Sequence, residues 1–114
     1  MSATVWTLVQ LPGWHRWPDA PPHRDYLSVR HRHLFHVRVE VQVRHDDRDV
    51  EFHDLADAVR AWWPADGEFG SASCERIGAQ LGEHLLRELL LVACVVDVSE
   101  DGESGARVNV KRWP

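Results

Sequence analysis

The sequence predicts an α+β fold, an antiparallel sheet with two helices gathered on one face. Three observations carry that expectation. Within the segment Leu34 to His45, apolar and polar residues alternate without a break from Phe35 to Arg44. Two stretches with apolar residues at helical spacing follow one another in mid-chain. A second β-like block closes the chain, so the helices sit between strands instead of alternating with them. The 114 residues, 44% hydrophobic and 27% charged, suit one ordinary globular domain spanning 1–114.

Thr4 to Leu11 (TVWTLVQL) is rich in β-formers and runs into Pro12-Gly13, a turn signal. Gly13 to Arg30 carries Pro18, Pro21 and Pro22 among polar residues and reads as a long ordered loop, which in a small domain is more often functional than idle. In the alternating strand, Phe35, Val37, Val39, Val41 and Val43 share the buried face. His36, Arg38, Glu40, Gln42 and Arg44 share the wet one. Asp46 to Asp49 turns the chain, and Val50-Glu51-Phe52 is a short return strand. Asp54 to Trp63 places Leu55, Ala58, Val59 and Trp62 at helical spacing before Pro64 and Gly67 stop it. The second helix starts after Ser73, an N-cap residue with Glu75 in the first turn, and its stripe is Ile77, Leu81, Leu85 and Leu89. Leu91 to Val98 is a buried strand, Glu100 to Gly105 a turn, and Ala106 to Lys111 a final alternating strand.

Charge and hydropathy remove several classes of partner. A net charge of −5 gives no electrostatic reason to expect nucleic acid or an anionic membrane. No apolar run approaches the roughly 20 residues that span a bilayer. The first residues lack a basic stretch followed by a long apolar one, so a cytoplasmic location is expected. Cys74 and Cys94 lie in different elements, outside any CxxC pattern, and are expected to be reduced.

Eight His and six Trp in so short a chain ask for a cause. His31-Arg32-His33 leads directly into the strongest strand. If that strand begins by His31, residues 31, 33, 35 and 37 share one face, with the two imidazoles side by side. Their Cα atoms are then about 6.5–7 Å apart by strand rise. That suits two ligands of one tetrahedral ion. The face is apolar beyond Phe35, and unpaired imidazoles there are costly to bury. A third ligand comes from elsewhere; the candidates are His15, His23, His36, His45, His53 and His84.

In this order of motifs the chain resembles the 6-pyruvoyl-tetrahydropterin synthase and 6-carboxy-tetrahydropterin synthase family. The residues that carry the likeness are HRW at His15 to Trp17 and HRHLFHVRVEV at His31 to Val41. VEFHDL at Val50 to Leu55, SCERIGAQL at Ser73 to Leu81 and VDVSEDGESGA at Val96 to Ala106 continue it. The resemblance implies a β-β-α-α-β-β unit assembled into trimeric or hexameric rings, and a zinc ion held by His15, His31 and His33. Other divalent transition metals also suit imidazole. It further implies that Glu100 anchors a pterin-like ligand by accepting from its guanidine-type N–H groups. Trp14 and Trp17 flank His15 and are candidates to wall a planar ligand by stacking. The activity implied is that of a zinc-dependent carbon–oxygen lyase.

The departures from the family pattern concern proton transfer. Leu27 stands where the family has a cysteine, four residues before the first His of H-x-H. The family's Asp-His pair between the helices has no counterpart in Pro64 to Ser73, and Arg32 replaces the middle glycine of the metal motif. Asp25 is the candidate replacement base. Cys74, at a helix N-terminus where the dipole lowers a thiol's pKa, is a weaker one. The alternative expectation is a non-catalytic protein, derived from such an enzyme, that binds a pterin or purine-like ligand.

Overall fold

A computed structural model describes residues 2–112. Two hairpins build one four-stranded sheet. β1 (Ala3–His15) pairs with β2 (His31–Val43), and β3 (Ala93–Glu100) pairs with β4 (Ser104–Lys111). The hairpins join through β2 and β3, giving the order β1-β2-β3-β4 with every neighbour antiparallel. A 3-10 helix, Pro22–Ser28, lies between β1 and β2. The helices α1 (Phe52–Trp62) and α2 (Cys74–Glu88) both follow β2, α1 packing on β1 and α2 on β3 and β4.

Period-two alternation decides which face the helices cover. Val9 of β1, Phe35, Val37, Val39 and Val41 of β2, and Val96 and Val98 of β3 point to one side and are buried. Leu55 and Val59 of α1 meet them, as do Ile77, Leu81 and Leu85 of α2. The helix α2 lies so close to β4 that a Cβ on Gly82 would stand 2.5 Å from Val110 Cγ2. Ser73 caps α2 by accepting from the Arg76 amide, as its residue type predicts. Among the described residues, no helix is long and apolar enough to cross a membrane.

Element ends move by a few residues throughout, and three differences from the sequence reading bear on the site. Pro12-Gly13 does not turn the chain; β1 runs through it to His15. The Pro12 carbonyl accepts from Trp63 Nε1 at 2.8 Å, so its side of the backbone faces away from β2 and the missing N–H breaks no ladder bond. Gly13 is required because a Cβ there would meet the Phe35 ring at 2.8 Å. Val50-Glu51-Phe52 is not a strand. Both edges of β2 are already taken by β1 and β3, and Glu51 caps α1 by accepting from the His53 amide. Finally, β3 extends to Glu100, which shortens the expected turn. Trp113, a candidate for packing on a neighbouring subunit, lies outside the described residues.

Candidate metal centre

Strand register brings the predicted ligands together at one end of the sheet. His15, the last residue of β1, lies directly opposite His31, the first of β2, and Gly13 lies opposite His33. Glu100, the last residue of β3, lies opposite Phe35 on the other side of β2. All four side chains share the helix-covered face. The imidazole centroids are 4.7 Å (His15–His31), 4.9 Å (His31–His33) and 5.3 Å (His15–His33) apart. Phe35 forms the floor, meeting His15 edge-on at 5.3 Å and His33 at 5.6 Å. The expectation that residues 31, 33, 35 and 37 share a face therefore holds, because β2 begins at His31.

Each imidazole is held from behind by an acceptor. His15 Nδ1 donates to the Ala72 carbonyl at 2.9 Å and His31 Nδ1 to the Val29 carbonyl at 2.8 Å. His33 Nδ1 donates to Asp101 Oδ2 at 2.8 Å. Carbonyl and carboxylate oxygens only accept, so each Nδ1 carries a proton, and in the neutral imidazole the remaining lone pair is on Nε2. Histidines that ligate metals are oriented in this way. The His33 and Leu34 N–H groups together hold the Asp101 carboxyl below the usual carboxylate range.

The centre itself contains acceptors facing acceptors. Glu100 Oε2 is 2.7 Å from His15 Nε2 and 3.0 Å from His33 Nε2, and His33 Nε2 is buried without a hydrogen-bond partner. Donor atoms of His15, His31, His33 and Glu100 all lie within 4.8 Å of one another. One proton can relieve one such opposition but not all of them. A divalent cation held by the three imidazole nitrogens, with the Glu100 carboxylate beside it, relieves every one, so the donor set fits zinc or a related ion with a fourth position left for a ligand.

The centre forms part of the wall of a cavity of about 540 Å³, whose lining also includes Arg16, Trp17, Leu27, Ser71, Cys74 and Ser104. The chain reaches this shape because segment 67–70 is stitched to the end of β1. Trp14 N–H donates to Gly67 O, Phe69 N–H to Trp14 O and Arg16 N–H to Gly70 O. That stitching delivers Ala72 to His15.

The remaining candidates divide. Trp17 lines the cavity. Trp14 lies on the opposite face of β1, where the Arg30 guanidinium sits 3.7 Å over its ring, and it borders a separate hollow with Arg32 and Arg60. Asp25 is exposed on the 3-10 helix and is not part of the cavity wall, whereas Leu27, two residues further along, is. Cys74 does face the cavity, but burial pushes its thiol up to about 12, with Glu100 and Glu75 adding to the effect. Desolvation thus overrides the helix dipole that suggested a lowered value. Sequence reasoning missed Asp101; the signal was its place directly after Glu100 at the strand end, ahead of Gly102.

No family model and no curated protein matches the chain. Solved structures do. A 6-pyruvoyltetrahydropterin synthase from Plasmodium vivax, altered at a catalytic residue, superposes with a TM-score of 0.74 at 14% identity. The match covers 98% of this chain and 99% of that one. The Plasmodium falciparum 6-pyruvoyl tetrahydropterin synthase gives 0.71 at 16% identity, over 97% and 99% of the two chains. The chain therefore has the tetrahydropterin-synthase fold over nearly its whole length.

Proposed function

We propose that this chain is a zinc protein of the tetrahydropterin-synthase type that binds a pterin-like ligand in the cavity beside His15, His31 and His33. The observation that carries the reading is the convergence of donor atoms of His15, His31, His33 and Glu100 within 4.8 Å of one another, with His15, His31 and Glu100 in that cavity's wall. Bound zinc would supply Lewis-acid polarisation of a ligand hydroxyl or carbonyl oxygen. Around it, Trp17 offers an aromatic wall and Glu100 an acceptor-only group for a ligand's paired N–H edge. The reading extends to a cytoplasmic homo-oligomer of ring type, as the sequence resemblance implies.

Metal content of untagged protein tests this directly. Near-stoichiometric zinc in the wild type, lost in His33→Ala, is the expected result; metal-free wild type after zinc supplementation would leave only a shared fold.

Two specific observations favour binding over turnover. Leu27 occupies the cavity wall where the family has its cysteine, and the Cys74 thiol is held protonated far above neutral pH. Zinc-loaded protein incubated with dihydroneopterin triphosphate distinguishes the cases. Product formation marks a carbon–oxygen lyase, and saturable binding without product marks the non-catalytic binder.

A further inference from the structure

We propose that Asp101 is a positioning residue for this centre, fixing the His33 imidazole in the tautomer that leaves Nε2 free for a divalent ion. The inference rests on the metal reading above, but its own geometry argues for it. His33 Nδ1 donates to Asp101 Oδ2 at 2.8 Å, and the Leu34 amide donates to Asp101 Oδ1 at 2.9 Å. The Asp101 amide returns a bond to Leu34 O at 2.9 Å. Three contacts thus lock the β3–β4 turn against β2. Asp101 itself has φ 58°, a left-handed conformation that Asp, Asn and Gly tolerate better than other residues.

The side chain must accept twice. The Leu34 amide is a donor that no rearrangement can change, and His33 Nδ1 is a donor as long as its tautomer holds. An ionised carboxylate satisfies both, one oxygen each. An amide side chain offers one oxygen and one NH2 group, so it satisfies only one of them. With its oxygen kept on Leu34, its NH2 faces His33 Nδ1, which becomes an acceptor only by moving the ring proton to Nε2. The centre then loses a lone pair and gains a hydrogen.

His33 is singular among the three in this respect. His15 and His31 are held by the backbone carbonyls of Ala72 and Val29, which no side-chain substitution removes. At Nδ1, His33 alone leans on a side chain, and its Nε2 is the buried atom without a partner. One substitution at 101 can therefore switch one ligand and leave the other two in place.

The test uses Asp101→Asn, with Asp101→Gly as a second variant that keeps the left-handed turn and offers no acceptor. Zinc affinity is read by chelator competition, and the His33 tautomer by ring nitrogen shifts in metal-free protein. Both variants are expected to bind zinc roughly 10–100-fold more weakly, the range typical of lost outer-shell partners. In Asp101→Asn the His33 proton moves from Nδ1 to Nε2; in Asp101→Gly the two forms mix. Affinity within about twofold of wild type in both variants, against that outer-shell range, would overturn the assignment. So would a His33 ring that keeps its proton on Nδ1 in Asp101→Asn. Wild type that binds no zinc would instead sink the metal reading, and the tautomer, read without metal, would still decide the role of Asp101.

Discussion

At the scale of single residues, the cavity-facing thiol has a measurable chemical signature. Cys74 and Cys94 are both buried and unpaired, and burial pushes their thiols up to about 12 and about 11 from an ordinary 9.0. The thiolate is the nucleophile, so iodoacetamide at pH 7–8 should label native protein far more slowly than denatured protein. The same shifts predict alkaline lability. Folded thiols hold their protons above the unfolded value, so their contribution to stability is complete below pH 9.0 and is lost as pH rises through about 11–12. Denaturant melts at pH 8 and pH 10 check this, with less stability expected at the higher pH. Equal stability at both, together with fast native labelling, would show that Cys74 is a reactive group after all.

At the scale of elements, α2 is seated by its glycines as much as by its apolar stripe. Gly82→Ala would drive a methyl group into Val110, and despite the better helix propensity of Ala we expect a loss of about 1–3 kcal/mol from overpacking, read by urea melts. Much of this level was legible beforehand. The alternation from Phe35 to Val43 fixed the face of β2, and Ile77, Leu81 and Leu85 fixed the inner face of α2. The H-x-H pair was readable as soon as β2 was taken to start at His31. What stayed hidden was long-range. Nothing near Pro12-Gly13 announces that the strand continues, because the reason is the Phe35 ring and the Trp63 indole, far away in sequence. Trp14 read as a partner of His15 by adjacency, yet adjacent strand residues point to opposite faces. The Glu51 cap also defeated the local β-pattern of Val50 to Phe52.

At the scale of the whole molecule, the sheet is open at both ends. Among the described residues, β1 and β4 each pair with one strand only, and the segment at 67–70 covers only the His15 end of β1. Unpaired edges of this length invite pairing with another chain. Trp6 and Leu8 are 53% and 48% exposed on β1. We expect sedimentation to report three or six times the mass of one chain, in line with antiparallel joining of β1 to a neighbour's β4. A single-chain mass at working concentration would count against the ring.

The division of the site between the hairpins sets an order of events. All three histidines belong to the first hairpin, and Glu100 and Asp101 to the second, 85 residues separating His15 from its carboxylate partner. Pairing within the first hairpin runs from His15 opposite His31 to Ala3 opposite Val43, whereas joining Phe35 to Glu100 must close a longer loop around both helices. We therefore expect the centre to be completed only when β2 meets β3. An ion bound only at the completed centre would lengthen the lifetime of the folded chain without hastening its formation, and unfolding and refolding rates with and without zinc check this.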